Sequence, residues 1–139
     1  MNPILRLIYE KQKLNERDRY MAEAMPLLRK RLMLEGKSDN AEIDELFFQL
    51  YRLNAIGALH NNKPLLEAYS SANRALVAAC DVACDQRKRT ISPSTDQRRD
   101  ICRALDTLAA LGQSMTNKTY VVAEFHAALS LKSSKGIAA

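Results

Sequence analysis

The sequence predicts an all-α fold, a single-domain, up-and-down bundle of four to six helices. Three observations carry this. The 139 residues contain only four glycines and four prolines, confined to a handful of places. The long stretches between them are rich in Ala, Leu, Arg, Lys and Glu, the strong helix formers. Apolar residues there recur at alternating three- and four-residue spacing, and no stretch shows the period-two alternation or hairpin signal of a sheet.

The first helix begins at Asn2-Pro3, since proline suits a first helical turn, where no amide donor is needed. Its apolar stripe runs through Ile4, Leu5, Leu7, Ile8 and Leu14. After the polar Asn15–Asp18 stretch it resumes at Met21, Ala24, Met25, Leu28 and Leu32. Pro26 is expected to kink or restart it, and Gly36 to end it, after the Arg29-Lys30-Arg31 cations suited to a helix C-terminus. Asp39 caps a second helix over about 40–59, with Glu42 reaching back to complete the cap. Ile43, Leu46, Phe47, Leu50, Leu53, Ile56 and Leu59 form the most apolar face of the chain, so this helix is expected at the centre of the core. His60–Lys63 is a polar turn. Pro64 opens a third helix to about Arg89, whose face of alanine and cysteine lets a neighbour approach closely.

A short connection, Thr90–Pro93, leads to the last helical stretch, which Ser94 and Gln97 open as a capping box. From Ile101 to Leu129 its apolar and small residues fall in heptad register. Unbroken to Leu131, it would be roughly 55 Å long at about 1.5 Å per residue. That is too long for so small a globule, so it either breaks near Gly112–Thr119 or meets a partner. Residues 1–131 are read as one bundle domain and 132–139, with Ser133-Ser134 and Gly136, as a flexible tail.

Several function classes are disfavoured. No apolar run reaches the ~18–20 residues of a membrane span, and Met1–Ile4 lacks the basic segment that opens a secretory signal. Three cysteines, an odd number without secretory context, point to free thiols in the cytoplasm. His60 and His126 have no partners at the spacing of a catalytic set. Glu42, Asp44 and Glu45 lack the Glu-x-x-His pairs of a di-iron bundle, and there is no phosphate-cradling glycine loop. The reading is therefore non-enzymatic, with no cofactor.

Three constellations remain. The net charge of +5 is concentrated between Gln86 and Arg103, where Arg87, Lys88, Arg89, Arg98, Arg99 and Arg103 face only Asp96 and Asp100. Such an array of guanidinium groups suits phosphates or another anionic partner. Cys80 and Cys84, one helical turn apart, are placed near Cys102 by the register of the third-to-fourth helix hairpin. This is a weak candidate for a metal or redox site, set against the ordinary role of cysteine as small core filler. Met115, Val122, Phe125 and Leu129 form the outer seam of the last helix, the candidate protein interface. The expected function is a small interaction or regulatory protein that binds through helices and self-associates as a homodimer or joins a larger complex. The first alternative is an accessory protein or basic subunit that binds nucleic acid through the Gln86–Arg103 corner; the second is a thiol-based sensor.

Overall fold

The computed structural model describes residues 3–4, 25–35, 38–114 and 117–138, with side-chain surroundings for all but 34–35, 112–114, 117–121 and 134–138. The fold is all-α, as the sequence predicts. Residues 25–30 are α-helical and run into a π-helical stretch, Arg31–Glu35; together they are α1. Then follow α2 (Asn40–Leu59), α3 (Lys63–Asp85), α4 (Thr95–Ser114) and α5 (Asn117–Ala138). Among the described residues no strand forms; an isolated antiparallel bridge joins Ser38 to Ile91. No helix among them is long and apolar enough to cross a membrane.

Local chemistry sets the helix ends. At the start of α2, the Glu42 amide donates to the Asp39 carboxylate (3.0 Å) and the Asp39 amide donates back to Glu42 (3.3 Å). This satisfies two of the donors that a helix start leaves open. The Ser94–Gln97 box does the same before α4, at 3.2 and 2.8 Å. Asn62 caps α3 through the Leu65 amide, with Pro64 in the first turn.

The third helix ends at Asp85, four residues before the expected Arg89. Arg87 adopts a left-handed backbone (φ 56°), and the Lys88 and Arg87 amides donate back to the carbonyls of Ala83 and Cys84. This double closure, the usual helix stop with glycine at the left-handed position, is here made with arginine. It is invisible to a search for glycine. Asn61 (φ 49°) closes α2 in the same way.

As expected, α2 is the centre, packing on α3, α4 and α5. Leu46, Leu50, Leu53 and Ile56 are buried, and they meet Leu76 and Ala79 of α3, Ile101, Leu105 and Leu108 of α4, and Leu28 and Leu32 of α1 in one cluster. The face is rotated from the expected one. Phe47 is only half-buried, stacked on Tyr51 with ring centroids 6.0 Å apart, and Leu59 is 53% exposed. Gln49 and Arg52 take buried places instead, each 1% exposed.

Among the described residues the last helical stretch forms two helices. Helix α4 ends at Ser114 and α5 begins at Asn117, both within the expected Gly112–Thr119 window, and α5 lies on α2. The stretch read as a flexible tail is helical as far as Ala138, with Lys132 and Ser133 exposed. Serine and lysine do not stop a helix when their side chains face water, and a single glycine costs only about 1 kcal/mol.

Candidate functional site

The Gln86–Arg103 cations occupy one end of the bundle, but the structure divides them. Arg87, Lys88 and Arg89 are exposed in the connection after α3. The Ser38–Ile91 bridge (3.2 and 3.0 Å) ties that connection to the start of α2. Arg98 turns toward α1, donating to the Met33 carbonyl (3.5 Å) and to Thr95 Oγ1 (3.3 Å). It serves the carbonyl-rich end of a helix, where a cation is favourable. Arg99 and Arg103, one turn apart on α4, line a shallow groove of about 490 Å³ between α1 and α4, together with Arg29, Met33, Cys102 and Asp106.

Within that groove Arg29 Nε donates to Asp106 Oδ1 at 2.7 Å. The hydrogen bond and the charge of Asp106 hold the Arg29 guanidinium still more firmly protonated than usual. Arg99 meets Asp96 at 3.2 Å in an exposed pair of the kind that contributes little. Among the described residues Arg103 has no carboxylate partner. The sequence marks Arg29 only as a cation near the end of its own helix; nothing local brings it to Asp106, 77 residues away.

The cysteines, the weak candidate for a metal or redox site, differ in burial. Cys102 is buried, Cys80 half-buried and Cys84 exposed, all as free thiols. Among the described residues no three His, Cys, Asp or Glu side chains gather as metal ligands. Burial pushes the Cys80 thiol up, with help from Asp81. Burial also raises Cys102, and Arg29 and Arg98 only partly oppose it. Both shifts run against the thiolate that metal binding or redox switching requires. The expected influence of nearby arginines is present, but desolvation outweighs it.

The seam residues are divided as well. Met115 lies outside the described residues. Among the residues of α5 with described surroundings, Ala123 (1% exposed) and Ala127 (0%) are buried, and α5 packs on α2. Val122 is half-buried and lines a groove of about 390 Å³ between α5 and the second half of α2, with Tyr51, Ala55, Ala58, Leu59 and His126. Beside it Phe125 is 62% exposed and Leu129 48%. The Phe125 ring stands edge-on to His126, with centroids 5.9 Å apart. None of the described residues lining this groove is Lys, Arg, Asp or Glu. Periodicity does not reveal the contribution of α2, because Ala55 and Ala58 carry no periodic signal and Leu59 falls on the predicted core face.

No family model, curated protein or solved structure matches this chain.

Proposed function

We propose that the chain is a small, non-enzymatic interaction module that self-associates through the α2–α5 face and works in the reducing cytoplasm, where its thiols stay free. One observation carries this reading. On a protein of net charge +5, an uncharged groove lies beside exposed Phe125 and Leu129, with Leu59 at its rim. Interfaces are depleted of charge at their centres and enriched in aromatic anchors. The face also carries both halves of a fit: a ring that projects from α5, and a hollow walled by Ala55, Ala58 and Val122. A second copy turned about a two-fold axis presents the hollow to the ring and the ring to the hollow, the isologous contact of most homodimers. With no fixed charge among its described lining residues, the groove lets two copies meet there without like-charge repulsion from those residues.

Molar mass by light scattering at micromolar concentration tests the reading. The wild type is expected at twice the mass of one chain, and Phe125→Asp at the mass of one chain with an unchanged helical circular dichroism spectrum. A wild type at single-chain mass across the whole concentration range overturns self-association.

A further inference from the structure

We infer that the opposite, cationic end of the bundle docks the phosphate backbone of a nucleic-acid duplex, through Arg99 and Arg103 in the α1–α4 groove and Arg87, Lys88 and Arg89 in the connection next to it. The inference stands on how the charges at this end are used. Three carboxylates near this end are engaged within the protein: Asp106 accepts from Arg29, Asp39 caps α2, and Glu42 pairs with Arg31 at 3.2 Å, while Asp85 and Asp100 make no ion pair among the described residues. Four of the cations are not engaged in this way. Among the described residues Arg87, Lys88, Arg89 and Arg103 have no carboxylate partner, and Arg99 has only its exposed pair with Asp96. Uncommitted guanidinium groups beside an open groove are suited to oxyanions, which they can grip with paired donors.

The backbone supplies a second observation. Arg87 occupies a left-handed position that glycine fills without strain. Its exposed side chain gains nothing from packing to offset that strain. A cation kept there at the expense of the helix stop points to a use for the charge outside the fold.

The arrangement also selects the ligand. Arg99 and Arg103 stand about 6 Å apart along α4 at ~1.5 Å per residue, and the connection extends the row beyond the helix start. A row of separate cations matches a polymer of phosphates better than one phosphate group. No described lining residue of the groove is aromatic, so these residues offer no platform on which unpaired bases could stack. The contact is therefore to the backbone, independent of sequence, and strongly dependent on salt.

The test is fluorescence anisotropy with a labelled DNA duplex of about 20 base pairs, titrated between ~50 and ~200 mM salt. The wild type is expected to bind with an affinity that falls steeply with salt. Arg99→Ala/Arg103→Ala should weaken binding about tenfold or more at the lowest salt and flatten the log–log salt slope by roughly two. Arg74→Ala, an exposed arginine on α3 outside the groove, should change neither. Arg87→Gly separates binding from folding: it should melt no lower than the wild type and still bind the duplex less tightly. The inference is overturned by a wild type that does not bind at the lowest salt, by an equal loss in Arg74→Ala, or by tighter binding of a single strand than of the duplex. Displacement of the duplex by a doubly phosphorylated peptide at matched phosphate concentration also overturns it, in favour of a protein partner.

Discussion

Cys102 shows how burial governs a side chain that its neighbours would otherwise activate. Two arginines favour its thiolate, yet the thiol is raised, because α4 buries it against the core. Cys80 is raised for the same reason. A thiol whose folded pKa lies above its unfolded value adds stability at pH below the unfolded value, about 8.5, and that stability is lost as pH rises through the folded value. The melting temperature should therefore hold between about pH 6 and 8 and fall at alkaline pH. Cys80→Ala/Cys102→Ala should flatten the fall, leaving the part due to Tyr69, whose hydroxyl burial also raises. An alkaline slope unchanged in that variant would contradict the burial of both thiols. Cys84, exposed, should react with a thiol reagent in the folded protein, ahead of Cys102.

At the scale of the helices, the close approach of α2 and α3 rests on Gly57. A Cβ built there would lie 3.0 Å from Leu66 Cδ2 and 3.2 Å from Leu65 Cβ. The Leu66 methyl can yield, but Leu65 Cβ moves only with the backbone of α3. Alanine would gain up to about 1 kcal/mol in helix propensity, whereas overpacking a tight contact costs about 1–3 kcal/mol. Gly57→Ala is therefore expected to lower the urea midpoint, and a raised midpoint would show that the helices have room to separate. The same scale shows what the sequence made legible. The existence of α2 to α5, the Asp39 and Ser94 caps and the division into α4 and α5 are all readable, because caps, glycine and periodicity are local signals, whereas the stripe from Leu5 to Ala24 and the Gly36 stop lie outside the described residues. The faces were less so. In α5 the heptad register runs through Val122, His126 and Leu129, with Phe125 beside it in the outer seam, whereas Ala123 and Ala127 are the buried positions among the residues with described surroundings. Alanine fits a buried or an exposed position equally well, so only the packing partner decides. In α2, Gln49 and Arg52 are buried where periodicity allows only apolar residues. Gln49 Nε2 donates to Glu45 (2.8 Å), and Arg52 Nη1 donates to Gln49 Oε1 (2.9 Å). Such a ladder offsets part of its desolvation by hydrogen bonds that a hydropathy pattern does not contain.

Over the whole molecule the two surfaces lie toward opposite ends of α2. The Ser38–Ile91 bridge fixes the cationic end beside its start, and the uncharged groove follows its last turns, Tyr51–Leu59. A helix of 20 residues separates its ends by about 30 Å. Pairing through the α2–α5 face would thus leave the cationic ends of both copies uncovered. This organisation depends on α5 using one face for the fold and another for a partner. The most direct test compares Phe125→Asp with Ala127→Asp by denaturant unfolding. At Phe125 the new charge meets water, and a surface change of this kind is worth within about 0.5 kcal/mol. At Ala127 it is buried in the core without a partner, and an uncompensated buried charge costs about 3–5 kcal/mol. Phe125→Asp should therefore unfold like the single chain of the wild type, and Ala127→Asp far earlier or without a folded baseline. Equal destabilisation by the two would place Phe125 inside the fold and contradict the account.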